Sequence, residues 1–441
     1  MTTPESLLNR YTSPVRLHLE TTHRCNLRCT HCYRAADGDC AEHDRATLVS
    51  LLERAGALGV SKITLTGGEL FTRPDWKEVV DLALRVCPNV SILTNGYLVD
   101  EPTLAWLAQR KVLHGLAGWF RRGAAHGTRS LGLGFSIDGL EAHSGIRRDT
   151  SGRPTSARTL LERVRLARDY GLFTTINTTI SKAEVAADLP ALYKAVLEAG
   201  AHRWQVDLAF PSGRYGNGRG TLPSWTRGAF EAIAAVFYRY LEAYPQLPGL
   251  KLDLVQCFRS DALVLGLPTA SWDEHPCAYN FGALVVEDGD RLRFCPSLRN
   301  TDWGAWEDPA LPKQYLTPTR QIRDFAALRL ADLPCRDCRY GRLFHGGCRA
   351  NALGYTGRLE ERDPVCCAFS PFLEQVVLPR LPAPVAALYR AGIDHALPGP
   401  SARESAPVFS TPADPTLPWN LEQGTGRSPA WQPALTGFTG A

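Results

Sequence analysis

The sequence predicts an α/β chain: a partial (β/α)6 TIM-like barrel, then a small cysteine-rich domain and a disordered C-terminal tail. Three observations carry this. Short apolar runs alternate with amphipathic stretches six times between Pro14 and Phe210, the pattern of parallel strands joined by helices. Chemistry-bearing residues (Cys25 to Cys32, Gly67 to Glu69, Asn95, Asp138, Pro211) fall at or just past the ends of the apolar runs, the face on which (β/α) barrels gather their chemistry. From Lys251 the periodicity gives way to frequent cysteines, and from Pro398 eight prolines mix with Ser, Thr and Gly.

The elements follow in order. Residues 1–13 read as a flexible leader and 14–225 as the barrel. Strands are expected at Pro14–Glu20, Lys62–Thr66, Val90–Thr94, Leu133–Asp138, Phe173–Ile180 and Trp204–Phe210. The helices between them are Asp44–Val60, Asp75–Cys87, Glu101–Lys111, Ala157–Tyr170 and Ala183–Ala199. Apolar positions Leu48, Leu51, Leu52, Ala55 and Leu58 give the first helix its buried face. His114–Leu131 breaks the rhythm and reads as a surface insertion on the opposite barrel face. Residues 226–250 read as a linking helix and 251–370 as the cysteine-rich domain. Within that domain Ala283–Phe294 forms a hairpin turning at Asp288-Gly289-Asp290. A helical segment, 371–397, is broken at Pro379 and Pro382, and the proline-rich tail fills 398–441.

Composition narrows the function. A net charge of +4 on 441 residues is too small to argue for nucleic acid or an anionic membrane. No apolar run approaches the roughly 18 residues of a membrane span. The N-terminus lacks the regions of a signal peptide, so a cytoplasmic location is expected. In that reducing compartment the 13 cysteines read as metal ligands rather than disulfides.

The first of them stand as Cys25-Asn-Leu-Arg-Cys29-Thr-His-Cys32, directly after the first strand. Three thiolates in one compact loop can hold three irons of a [4Fe–4S] cluster and leave the fourth open to a ligand. A structural zinc site is the competing reading, although such sites usually show paired CxxC knuckles. This CxxxCxxC motif resembles that of the radical SAM superfamily, and the motifs that follow resemble that superfamily too. Gly67-Gly68-Glu69 resembles the motif that holds the amino group of S-adenosylmethionine, and Ser136-Ile137-Asp138-Gly139 with Arg147 resembles the segment that meets its ribose and carboxylate. Asn177 and His31 fall at positions the family places near adenine or ribose, and Pro211–Arg214 at the substrate edge. The resemblance implies reductive cleavage of S-adenosylmethionine to a 5′-deoxyadenosyl radical that removes a substrate hydrogen. It also implies an external electron donor.

The later cysteines are Cys277, Cys295, Cys335, Cys338, Cys348, Cys366 and Cys367. Taken alone, the Cys335-Arg-Asp-Cys338 pair is compatible with zinc, a cluster or a redox pair. The whole pattern resembles the SPASM extension of radical SAM enzymes, which implies one or two auxiliary [4Fe–4S] clusters. By that resemblance Cys277, Cys295 and Cys348 serve one cluster, and Cys335, Cys338 and Cys366 or Cys367 the other. Phe344 stands where the family has a further cysteine, so one ligand is missing; His345, the spare cysteine, an open iron, loss of that cluster, or zinc in its place are the alternatives. Cys257 is an extra candidate, while Cys40 and Cys87 read as ordinary thiols.

Three functions compete. The wording around the first motif is most like that of peptide maturases, which implies crosslinking or related oxidation of a ribosomally made peptide. The short leader would then call for a separate peptide-recognition protein, or for none. The second reading is a dehydrogenase or epimerase acting on a small molecule such as a sugar or aminoglycoside. A sulfatase-maturase reading is weakened by Pro296, which stands where those enzymes carry an aspartate. The third, a metal-binding scaffold without catalysis, leaves the S-adenosylmethionine contacts unexplained.

Overall fold

The structure, a computed structural model, describes residues 16–34, 42–120, 130–216, 221–243, 250–255, 258–259, 271–277, 283–286, 292–293, 295–298, 325, 327–393, 419–422 and 430–433. Cys40, Cys257, the Asp288–Asp290 turn and the leader lie outside the described residues.

Six strands form as the periodicity predicts: β1 Arg16–Glu20, β2 Lys62–Thr66, β3 Asn89–Thr94, β4 Ser130–Ser136, β5 Phe173–Ile180 and β6 Arg203–Leu208. Each is parallel to its neighbour. The crossovers are helices α1 Arg45–Ala57, α2 Trp76–Val86, α3 Glu101–Phe120, α4 Ala157–Asp169 and α5 Ala183–Ala199. Asp44 caps α1 by accepting the Thr47 N–H, and Ser156 caps α4 by accepting that of Thr159. Helix α3 runs to Phe120, through the first part of the expected insertion. The rest of that insertion, from 121 to 129, lies outside the described residues.

The sheet does not stop at β6. After α6 (Thr226–Ala243), strand β7 (Lys251–Leu254) pairs parallel with β6, and β8 (Phe258–Arg259) turns back against it. At the other edge β9 (Ala283–Val286) pairs parallel with β1, and β10 (Leu292–Arg293) antiparallel with β9. The sheet therefore has ten strands in the order β10-β9-β1-β2-β3-β4-β5-β6-β7-β8. Its two outer strands do not pair with each other, which makes the barrel partial. The expected hairpin is present, and it is stitched to the barrel rather than held in a separate sheet.

Alternation along the strands sorts the side chains. Leu17, Leu19, Ile63, Leu65, Ile92, Phe135 and Ile176 face the helices and are buried. Trp204 on that face stacks on Tyr193 of α5 and donates its indole N–H to Thr178. The opposite, concave face carries Ser136, Asn177, Gln205 and Asp253 on one rung, because register pairs Ser136 with Asn177, Asn177 with Gln205, and Gln205 with Asp253. The concave face of the sheet is thus polar and the convex one apolar.

The C-terminal part adds α7 Arg349–Thr356, α8 Pro364–Phe372 and α9 Ala383–Ile393, with the chain breaking before Pro382 as expected. It docks through aromatics: Phe369 and Phe372 meet Phe230 of α6 with ring centroids 5.1 and 5.7 Å apart. Burying one such ring is worth about 1.5–3 kcal/mol relative to leaving it in water. In the tail the described residues are β11 (Trp419–Glu422) and β12 (Ala430–Pro433), paired antiparallel. Among the described residues no helix is long and apolar enough to cross a membrane.

Candidate functional site

The loop carrying Cys25, Cys29 and Cys32 is tied to three strand ends. On the β2 side the Gly68 N–H donates to Thr22 O (2.7 Å) and the Glu69 N–H to Arg24 O (2.9 Å). A Cβ would lie 2.5 Å from Thr22 O at Gly67 and 2.2 Å from Arg24 O at Gly68. No side chain fits there, so both glycines are needed to clasp the cysteine loop. Their sequence reading was approach to a ligand; in the structure their near neighbour is the loop backbone. Beyond β4, the Thr30 N–H donates to Ile146 O (3.0 Å) and that of Arg28 to Arg148 O (2.8 Å). Beyond β6, the Arg214 N–H donates to Cys32 O (2.9 Å), and Gly213 packs under the same carbonyl. The Pro211–Arg214 turn thus supports the loop from behind.

Among the described residues no cysteine forms a disulfide. The Cys25 sulfur accepts the Leu27 N–H at 3.4 Å and lies 3.8 Å from Asn95 Nδ2. Burial pushes the Cys25 thiol up to about 12, and Glu69, Cys29 and Cys32 add to it. Burial also raises Cys29, against the pull of Arg147, whose Nη1 lies 3.5 Å from the sulfur. The raised Cys25 and Cys29 thiols favour the protonated form until a metal replaces the proton. That donor set fits an iron–sulfur cluster. Among the described residues no three His, Cys, Asp or Glu side chains close round a single ion.

Two carboxylates flank the loop, and their surroundings differ. Asp138 is fully buried and paired: Arg147 Nε lies 2.6 Å and His31 Nε2 3.1 Å from Oδ2, and the Thr179 N–H donates to Oδ1. Against the cost of burial, Arg147 and His31 hold this carboxyl well below the usual carboxylate range. The guanidinium predicted to meet a cofactor carboxylate is thus already engaged by Asp138. The Asp138 N–H donates to His143 Nδ1 (3.1 Å), which leaves the ring proton on Nε2, 3.2 Å from Tyr97 Oη.

Glu69 is 1 % exposed and accepts only neutral donors: the Thr94 hydroxyl (2.9 Å), the Asn95 N–H (2.7 Å) and the Phe71 N–H (3.3 Å). Among the described residues no cation forms an ion pair with it. Burial pushes its carboxyl up to about 7. A buried carboxylate without a counter-charge is costly, and an ammonium brought by a ligand would relieve that cost.

The C-terminal cysteines fall into two groups. Cys277, Cys295 and Cys348 lie in one another's field; burial pushes Cys277 up to about 12 and raises the other two. The second group is Cys335, Cys338 and Cys367, with Cys367 pushed up to about 11, by burial first and then by its two neighbours. The sequence left Cys366 and Cys367 as alternatives. Cys366 also lines a cavity of about 30 Å³ with Asp207, Phe210, Val255 and Asn351. Phe344 takes no part in either group: its ring meets that of Phe369 edge-on at 6.1 Å.

Sequence reasoning missed four buried charged residues. Arg34 pairs with Glu20 at 2.5 Å. Arg73 bonds Thr21 O and His43 O and fixes the start of the cysteine loop. Asp363 accepts N–H groups from Cys348, Val365 and Cys366. Arg349 is 1 % exposed and sits beside the first C-terminal group. Only Asp363 had a local signal, standing just before Pro364 as a helix N-cap does.

The comparisons agree with this geometry. The model of the radical SAM superfamily matches residues 19–196. The chain is 31% identical over 383 residues to a PqqA peptide cyclase of Gluconobacter oxydans, covering 82% of this chain and 93% of that protein. It is 27% identical over 179 residues to the antilisterial bacteriocin subtilosin biosynthesis protein AlbA of Bacillus subtilis, covering 39% of this chain and 34% of that protein. Among solved structures, native anSMEcpe with bound AdoMet superposes with a TM-score of 0.62 at 18% identity, covering 86% of this chain and 99% of that one. Streptococcus suis SuiB bound to precursor peptide SuiA does so with a TM-score of 0.58 at 16% identity, covering 81% and 78%. The chain belongs to the radical SAM superfamily, as an enzyme with a SPASM-type C-terminal extension that is similar to the peptide maturases.

Proposed function

We propose that this enzyme abstracts hydrogen from a ribosomally made peptide and turns the resulting radical into a crosslink or a related oxidation. The observation that carries the reading is three thiols on one loop beside Glu69, a buried carboxylate that has no cation partner among the described residues. Cys25, Cys29 and Cys32 would hold the [4Fe–4S] cluster, and Glu69 would take the ammonium of S-adenosylmethionine. When bound, these cofactors supply methionine and a 5′-deoxyadenosyl radical by reductive cleavage.

The chain's own residues then have separate tasks. Asp138 fixes Arg147 so that one N–H points at the Cys29 sulfur. Ser136 and Asn177 face the lumen on one rung, where a nucleoside would lie. Gln205 and Asp253 continue that rung toward β7, and would face the peptide. The two C-terminal thiol groups would hold auxiliary clusters, whose chemistry there is one-electron transfer. The similarity to a PqqA peptide cyclase over most of both chains supports a peptide substrate.

The test is anaerobic reconstitution of the full chain with iron and sulfide, beside Cys29→Ala. The variant is expected to form no 5′-deoxyadenosine and to carry about four fewer irons per chain. Offered the short peptides encoded beside its gene, the parent should convert one with loss of two hydrogens. Undiminished cleavage of S-adenosylmethionine by Cys29→Ala would sink the site assignment. Turnover of none of the peptides, with a small alcohol oxidised instead, would sink the substrate assignment.

A further inference from the structure

Among the described residues Arg349 is the largest charged side chain that is wholly buried, at 1 % exposure. A buried guanidinium ordinarily finds a carboxylate. This one donates to three backbone carbonyls: Leu359 O at 2.8 Å, Glu361 O at 2.7 Å, and Gly346 O. Its Nε is buried with no hydrogen-bond partner. Among the described residues no carboxylate forms an ion pair with it. Asp363, the buried carboxylate of the same segment, has its oxygens taken by the N–H groups of Cys348, Val365 and Cys366 and by Asn351 Nδ2.

Among the described residues the positive charge therefore lacks a fixed counter-ion, and cysteines of both groups lie within reach of its field. Arg349 follows Cys348 directly, and its own N–H is directed at the Cys277 sulfur. The Gly346 carbonyl that receives one arm of the guanidinium also lies 3.8 Å from the Cys335 sulfur. One cation thus sits between a thiol of the first group and a thiol of the second. Its field favours the thiolate at both, against the burial that raises them. Thiolate-ligated iron–sulfur clusters are net negative in their working oxidation states, so two loaded groups would supply the missing anion.

We propose that Arg349 is the buried counter-charge shared by the two C-terminal cysteine groups, and that it raises the reduction potential of the clusters they hold. The proposal rests on the reading that those cysteines hold clusters. A fixed cation stabilises the more negative, reduced state more than the oxidised one. Its three carbonyl bonds keep it from swinging away when an electron arrives, so no reorganisation is needed.

The experiment uses the full chain with Cys25, Cys29 and Cys32 all changed to Ala, so that the remaining iron belongs to the C-terminal groups. Iron content is counted after anaerobic reconstitution, and the centres are titrated by EPR against potential. In this background Arg349→Gln should lower the reduced-to-oxidised ratio at a given potential at least tenfold, about 59 mV for a one-electron couple. Arg349→Lys, which keeps the charge but not the three-carbonyl geometry, should restore the ratio to within about threefold. A glutamine variant with full iron and an unmoved midpoint overturns the proposal. If the glutamine variant takes up little iron, the lysine variant decides: full iron and the parental midpoint support a charge role. Equal iron loss in both overturns it in favour of a purely structural arginine. A triple-alanine parent without iron would refute the cluster reading itself, and the proposal with it.

Discussion

Beside Cys29 the cation Arg147 is tied to a carboxylate; beside Cys277 and Cys335 the cation Arg349 is tied, among the described residues, only to carbonyls. The first region also has a second carboxylate, Glu69, that nothing balances among the described residues. The two regions therefore carry unbalanced charges of opposite sign. A site with a surplus buried carboxylate awaits a cation, here the ammonium of S-adenosylmethionine. A site with a surplus guanidinium awaits an anion, here thiolate-bound clusters. The charge that the fold leaves uncompensated foretells the occupant better than the cysteines do, because both regions are rich in cysteine.

The sharpest break of this comparison is made with adjacent residues. Cys367→Ser should remove the iron of one cluster, about four per chain, whereas Cys366→Ser should leave the iron count unchanged. Equal loss in both would mean that the second group is not the one the geometry assembles, and that the 30 Å³ cavity beside Cys366 is itself a ligand position.

At the barrel site the matching change is Glu69→Gln. It keeps the shape and the hydrogen bonds with Thr94 and Asn95 but removes the charge. Binding of S-adenosylmethionine, followed by calorimetry, should weaken by about 3 kcal/mol, or about a hundredfold, the usual scale for leaving one partner of a buried charge pair alone. Iron content should stay at the parental level. An unchanged affinity would mean that the surplus carboxylate has another purpose.

His143 tests whether the Asp138 side of the site depends on a neutral ring. Burial, with Arg147 adding to it, lowers this histidine from about 6.5 to about 4. The unfolded chain therefore binds a proton between those pH values that the folded chain refuses. The stability from neutral His143 is whole above about pH 6.5 and is lost as pH falls toward 4, amounting to about 3 kcal/mol. Denaturant midpoints measured from pH 7 to 4 should fall more steeply for the parent than for His143→Gln. Parallel slopes would show that the ring titrates as it does in water.

The barrel and its motif were legible because their signals are local. Period-two runs fix strands, and a cysteine triplet within eight residues fixes a loop. Even so, helix α3 reached Phe120, through the first part of the stretch that read as an insertion. The edges of the sheet were not legible, since β9 meets β1 across more than two hundred residues of sequence. Nor was the role of Asp138: the motif shows an aspartate after Ser136, but only the folded turn brings Arg147 onto it. Cys366 and Cys367 differ by one position, so spacing could not separate them. Arg349 had no signal at all, because its partners are backbone carbonyls.

Phe344 gives the smallest effect and tests whether spacing or packing governs the C-terminal ligands. The resemblance reads it as a lost ligand, which Phe344→Cys would restore. The structure gives it another task, since its ring packs edge-on against Phe369, itself seated on Phe230 of α6. The side chain is only partly buried, so the change should cost about 2 kcal/mol, less than the loss of a fully buried phenylalanine. Iron content should not rise, because the new thiol would point into an aromatic cluster rather than toward Cys335 and Cys338. A variant that gains iron and stability together would show that the phenylalanine replaced a ligand in place. The backbone would then present that position to the cluster whichever residue stands there, and packing against Phe369 would follow from the lost ligand rather than cause it.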